Sequence, residues 1–316
     1  MREMKKIIMV MALAFTVTLC LGISLGCQER WDNVSASDKA DLVTRGYDYD
    51  HFNGIDFGGA ADIVVRKATG WSVNVTMPRK LEPYFKLSVR SGNLVGAFRN
   101  VPKSLGRLLG EGSVKVEISM PSLVYVNLSG ACSIFTADTF DSGNAAFRVK
   151  LEGAVEADLS AAGREVEIDL GGASRLDFKG SRFIDGEIEV SGASDADIVA
   201  DFMEELEVSA SGASHLSYQG TCEDLSLEAS GATSVILTGA ASEVDMSASG
   251  SADVKAKDFM ARTAEVEASG ASNVRLGVSE YLEAKASGSA TVRYYSPDGK
   301  IRVNAHESGA GKVKGN

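Results

Sequence analysis

The chain has 316 residues, of which 33 are glycine and only 5 proline, with aromatic residues at 7%. Many small residues and few rings argue against a conventional large core and favour a thin, repetitive architecture, while 44% hydrophobic content argues against disorder over the whole length. A net charge of −11 disfavours binding to nucleic acid through a basic surface.

The first element is a leader. Residues 1–26 carry Arg2, Lys5 and Lys6 and then an uncharged run from Ile7 to Gly26. A basic start, an apolar run and a small residue before a cut site form a secretory signal. An uncleaved membrane anchor is the alternative, because the run is long enough to span a bilayer. The ending "SLGC" resembles a bacterial lipobox, with Ser24 where that pattern has Leu, Ile or Val. It points to a signal peptide over 1–26 and lipidation of Cys27, although cleavage after Gly26 without lipid uses the same small residues. Loss of residues 1–26 takes the net charge from −11 to −13. Residues 27–50 are polar and mixed, and read as a tether.

From His51 the pattern turns to short alternating strands such as "SVNVTM" and "VKVEISM", less regular as far as residue 126. A repeat then runs over 127–309. Its glycines are Gly130, Gly153, Gly172, Gly192, Gly212, Gly231, Gly250, Gly270 and Gly288, with Gly309 as a ragged last copy, at intervals of 18–23 residues. A period near twenty indicates a solenoid. Positions −2, −4 and −6 before each glycine are apolar or small, as in Ala210, Val208 and Leu206. Positions +4 and +6 are apolar too, as in Leu216 and Tyr218. Alternation with period two on both sides of a turn means two strands, and Gly180, Gly220 and Gly239 mark a second turn.

The expected fold is therefore all-β, a right-handed parallel β-helix with about 20 residues, two strands and two turns per coil. The Ser-Gly-Ala triplet reads as a tight corner rather than an active site. Copies stack about 4.8 Å apart, so only small side chains fit there, and hydroxyls such as Ser174, Ser194, Ser214, Thr233 and Ser272 are expected to form a hydrogen-bonded ladder. Cys132 and Cys222 lie four coils apart, roughly 19 Å, and are expected to be free thiols.

The segment "HFNGIDFGGAADIVVRKATGWSVNV", then "VKVEISMP", then the run of Ser-Gly-Ala turns, resembles the head GIN domain family of auto-transporter adhesins. The resemblance covers roughly residues 50–309. It implies a right-handed β-helix related in shape to pectin lyases without their catalytic residues, in a secreted or lipid-anchored envelope protein of a Gram-negative bacterium. It also implies adhesion as the role, facing either periplasm or cell surface. The membrane would be met through the lipid anchor alone, and the partner would be an envelope or host surface polymer or protein.

No catalytic residue emerges from the sequence. His51, His215 and His306 have no second His or Cys at metal-ligand spacing, and His215 falls on an outer face beside Arg175, Asp195 and Ser234. No nucleophile elbow or phosphate loop is present, and "SGAGKVKGN" reads as a frayed tail. The strongest chemical signal is a ladder of carboxylates. At −5 stand Glu167, Glu187, Glu207, Ser226, Asp245, Glu265 and Glu283; at −3 stand Asp169, Glu189, Ser209, Glu228, Ser247, Glu267 and Lys285. Ten of these fourteen outward positions are acidic and one is basic. The opposite sheet is mixed and becomes basic late, with Lys255, Arg275 and Arg293.

Two readings of the acidic face stand. It is a solvated surface that keeps the rod soluble, or it is a face for a basic partner or weakly held calcium, centred on Glu187, Glu189, Glu207, Glu228, Asp245, Glu265 and Glu267. No cofactor is expected apart from such calcium. The rival function is a polysaccharide-active enzyme of the pectin-lyase type, which needs a base beside the carboxylates. The face offers only Lys285, with Arg148 and Lys150 one coil below its start.

Overall fold

The computed structural model describes residues 41–110 and 113–315; the leader, Cys27 and the tether as far as residue 40 lie outside the described residues. The chain is all-β, a solenoid of about 10 turns spaced about 20 residues apart.

The corner glycines set the stack. Gly130, Gly153, Gly172, Gly192, Gly212, Gly231, Gly250, Gly270, Gly288 and Gly309 all have positive φ, between 65° and 100°. The carbonyl of each glycine from Gly130 to Gly288 accepts a hydrogen bond from the residue after the next coil's glycine. Ala213 N donates to Gly192 O at 2.8 Å, and Ala232 N to Gly212 O at 2.8 Å. A Cβ on Gly212 would lie 2.6 Å from the Gly192 carbonyl oxygen. Close backbone approach and a left-handed conformation thus both require glycine.

The column begins one coil earlier than the repeat suggests. Gly59, at φ 116°, accepts from Ala131 N at 2.7 Å. Gly54–Gly59 pairs directly with Tyr125–Gly130, although each residue's partner lies 71 positions further along the chain. That excursion builds one more coil and then a cap. Asn93–Phe98 lies parallel to Gly54–Gly59, and Lys115–Met120 parallel to Asp62–Lys67. Beyond them the direction reverses: Phe85–Arg90 pairs antiparallel with Asn93–Phe98, Ser72–Pro78 pairs antiparallel with Lys115–Met120, and Leu42–Tyr47 closes the edge against Ser72–Pro78. Residues 42–47, read above as tether, are therefore an edge strand of the domain. Two 3-10 helices, Arg79–Tyr84 and Lys103–Leu109, bury Leu81 and Leu108 at this end.

Both strand ladders run in register through the repeat. Glu205–Ala210 pairs with Asp224–Ala229, and His215–Gln219 with Ser234–Thr238. The second turn changes character along the chain. In the coil after Gly172 it is a break between Arg175–Ser181 and Asp185–Val190, with Phe183 bridging to Phe202. From His215–Ala229 to Asn273–Ala286, single strands of 14–16 residues pass straight through it. The register shifts in these later coils all fall there, at Ile236/Thr238, Ala256/Met260 and Ala261/Thr263. The differences in repeat length are absorbed at this bend, and the glycine corner stays fixed.

The core is a file of small aliphatics with the scarce aromatics gathered beside the bend. Phe147, Phe178, Phe183, Phe202, Tyr218 and Phe259 follow one another with ring centroids 6.0–6.3 Å apart. The corner hydroxyls do not bond one another as expected. Ser174 Oγ donates to Gly171 O at 2.9 Å and Ser272 Oγ to Ser269 O at 2.8 Å, carbonyls of their own turns, whereas Ser194 Oγ and Thr233 Oγ1 are buried without a hydrogen-bond partner. Cys132 and Cys222 are free and buried, and burial pushes their thiols up to about 11 and about 12. Nor does the C-terminal segment fray: Lys312–Gly315 pairs in parallel with Thr291–Tyr294 and completes a last coil.

Candidate functional site, an acidic sheet face

The carboxylate columns are in register as the spacing predicts. Glu167, Glu187 and Glu207 are successive Cα partners, followed by Ser226, Asp245, Glu265 and Glu283. The second column runs from Asp169 and Glu189 through Ser209, Glu228, Ser247 and Glu267 to Lys285. Glu187, Glu189, Glu207, Glu228, Asp245, Glu265 and Glu267 are all exposed. Hydrophobic partners such as Ile188, Val208 and Leu227 alternate with them and point inward, so the outward direction is enforced by the core.

A third column was missed by the sequence reading. At −7 stand Glu165, Asp185, Glu205, Asp224 and Glu243, with Glu205, Asp224 and Glu243 in register. The signal was available, since the alternation extends one step further back. With this column the face holds a shallow groove of about 450 Å³, lined by Glu205, Asp224, Glu243, Asp245, Glu265 and Tyr281 among others.

The face is closed by cations at both ends. Arg148 grips Glu167 with two hydrogen bonds, Nε to Oε2 at 2.6 Å and Nη2 to Oε1 at 2.9 Å. Lys150 Nζ lies 2.7 Å from Asp169 Oδ2. At the other end Lys285 Nζ reaches Glu267 at 2.8 Å and Glu265 at 3.0 Å, and these bonds hold its ammonium above the usual lysine range. His306 is the Cα partner of Lys285 in the next coil, and both line a smaller groove of about 280 Å³ with Glu267 and Glu307. His215 lies where expected, between Asp195 and Ser234.

Between the two capped ends the carboxylates face one another. Partial burial raises the Glu187 carboxyl above its ordinary value, and Glu189, Glu207, Glu167 and Glu165 push in the same direction. Among the described residues no three His, Cys, Asp or Glu side chains gather closely enough to hold a metal ion. A flat ladder presents its oxygens side by side, about one coil apart, rather than around a point.

A profile described as "Putative auto-transporter adhesin, head GIN domain" matches residues 51–200 and again 185–297. The chain belongs to that family. A solved "putative adhesin" from Parabacteroides distasonis is 18% identical to this head GIN chain, with a TM-score of 0.47 over 87% of this chain and 97% of that one. One from Parabacteroides merdae is 16% identical, with a TM-score of 0.44 over 87% and 96%. A "Putative lipid binding protein" from P. distasonis is 19% identical, with a TM-score of 0.42 over 88% and 98%. No curated protein matches the chain.

The repulsion in the head GIN ladder has a measurable sign. Glu187 binds its proton more tightly folded than unfolded, so stability rises as pH falls through its raised value. Glu82 and Asp141 work the other way. Hydrogen bonds from Arg45 and Arg182 hold them below the usual range, and their contribution is lost as pH falls further. The melting temperature is thus expected to rise on mild acidification from neutral pH and then to fall. Replacing Glu187, Glu207 and Glu228 together by Gln should raise neutral-pH stability by about 0.5–1 kcal/mol and flatten the rise. Calcium and sodium at matched ionic strength should shift the melt equally, by screening. A larger calcium shift that the triple variant removes would reveal a bridging site.

Proposed function

We propose that this chain is a non-enzymatic binding module of the bacterial cell envelope, an adhesin held on the outer membrane by a lipid at Cys27. Membership of the head GIN family supports the reading, and the observation that carries it is the rod itself. Its two sheets expose long, rigid, in-register columns of charge that the buried core holds in place. Such a surface suits extended contact with a polymer or a partner protein more than the enclosure of a small molecule. The solved neighbours described as adhesins and as a lipid-binding protein fit a binding role. A lyase-type reaction is disfavoured at the acidic face. Its Lys285 bonds Glu265 and Glu267, which favour its protonated form and make it a poor base.

The test is made on intact cells. Protease shaving should cleave the domain, and deletion of the gene should reduce attachment to immobilised envelope or host polymers, with recovery on complementation. Full protection from protease would overturn the surface role. Release of unsaturated ends from uronate polymers would overturn the non-enzymatic reading.

A further inference from the structure

We infer that the second sheet is a self-recognition surface, and that two copies pack face to face through it with their rods antiparallel. One outward column of that sheet, at +5 from the corner glycines, changes sign along its length. Asp158, Asp177 and Asp197 are successive partners in its first charged stretch. Ser217 and Ile236 follow. Lys255, Arg275, Arg293 and Lys314 complete it. The stretch from Asp158 to Lys314 has nine positions with Ile236 in the middle; before Asp158 the ladder continues through Phe135 and Val64, which would lie beyond the end of a reversed copy.

Rotating a second copy by 180° about an axis parallel to the strands and passing over Ile236 lays this column on itself in reverse. Asp158 then meets Lys314, Asp177 meets Arg293, Asp197 meets Arg275, and Ile236 meets its own copy. The neighbouring +3 column obeys the same operation. Its stretch from Glu156 to Lys312 has Ser234 at its centre, and reversal sets Glu156 against Lys312 and His215 against Asp253. Both columns share one axis because all coils have the same height, so a single two-fold serves both.

The ion pairs that the aspartates of these columns already make are exposed ones. Asp177 and Asp197 share Arg175 at 4.0 and 3.4 Å, and Asp253 is shared by Lys255 at 3.4 Å and Arg275 at 3.3 Å. Arg175 is 52% exposed, and exposed pairs of this kind contribute little. Val199, 48% exposed, adds apolar area on the same sheet. Eight coil steps by a five-residue strand give roughly 600 Å² per copy, or about 1,200 Å² in all, the lower end of stable interfaces. A flat anionic or cationic surface would be repelled by one half of the column while drawn to the other. A reversed copy of the same column has no such conflict.

The test uses the full chain extracted from membranes in mild detergent, sized by light scattering across a dilution series at low and high salt. A dimer is expected that weakens with salt. Arg293→Asp alone, and Asp177→Arg alone, should each raise the dissociation constant by roughly tenfold or more, because each change occurs twice in the interface. Combining Asp177→Arg with Arg293→Asp should restore the dimer, and Glu207→Gln on the other sheet should leave it unchanged. Ile236→Cys should be cross-linked to its own copy by a short bis-maleimide, whereas Lys255→Cys should not. A chain that stays monomeric overturns the inference. So does a dimer indifferent to the single reversals, or one that the double exchange fails to restore.

Discussion

Gly212→Val is expected to destabilise the protein by about 4 kcal/mol, lowering the melting temperature by roughly 10 °C. Two costs add. At φ 78° the backbone sits where a β-branched residue is strained. The new Cβ would also lie 2.6 Å from the Gly192 carbonyl oxygen, so the corner must open. Opening it stretches the bond from Ala213 N to Gly192 O and the one from Ala232 N to Gly212 O, each now 2.8 Å. Ser217→Ala, outward in the same coil, should change stability by no more than about 0.5 kcal/mol. Urea melts of the two variants decide the matter: equal midpoints would mean that the corner tolerates a side chain and is not what fixes the stack.

The second large effect is expected at Phe183. Phe183→Ala should cost about 3–5 kcal/mol, whereas Phe183→Leu should cost less than about 1.5 kcal/mol. The ring is fully buried and lies between Phe178 at 6.2 Å and Phe202 at 6.0 Å. Truncation leaves a void at the bend, where the strand is already interrupted and the bridge to Phe202, with backbone bonds such as Glu204 N to Ile184 O at 3.0 Å, joins the coils. A solenoid is held by contacts between neighbouring coils, so amide exchange should speed up between about residues 172 and 212 before it does near Gly270. Uniform acceleration along the rod would show that the coils melt as one unit.

The parts of this fold that were legible in the sequence are those that a local rule imposes again in every coil. The glycine corner recurs because each carbonyl must accept from the next coil at the same distance, and nothing but glycine permits it. The −3 and −5 columns were equally legible, since alternation on a strand with a buried face leaves no choice of direction. What was hidden depends on contacts distant in sequence. Gly59 is a corner like the others, but its partner lies 71 residues on, and a period cannot be recognised across such an excursion. The cap was hidden for the same reason. Antiparallel edge strands such as Leu42–Tyr47 are specified by pairing with Ser72–Pro78, and nothing in "LVTRGY" states that pairing. The hydroxyl ladder failed because Ser174 and Ser272 find a carbonyl within their own turn. The cation caps were in plain view as Arg148, Lys150 and Lys285, yet only the register shows that they clamp the ends of the carboxylate columns.

The bend that absorbs the register shifts makes the molecule a rod with one rigid edge and one forgiving edge. Along the glycine edge, a single inserted residue would displace a carbonyl from its acceptor position in two coils at once. Along the bend, at places such as Lys257–Arg262, extra residues have already been accommodated without disturbing either charged face. Loops and short recognition peptides can therefore be grafted at the bend of any chosen coil, each step along the rod moving the graft by about 4.8 Å, which makes this scaffold a ruler on which the spacing of displayed groups is set by counting turns.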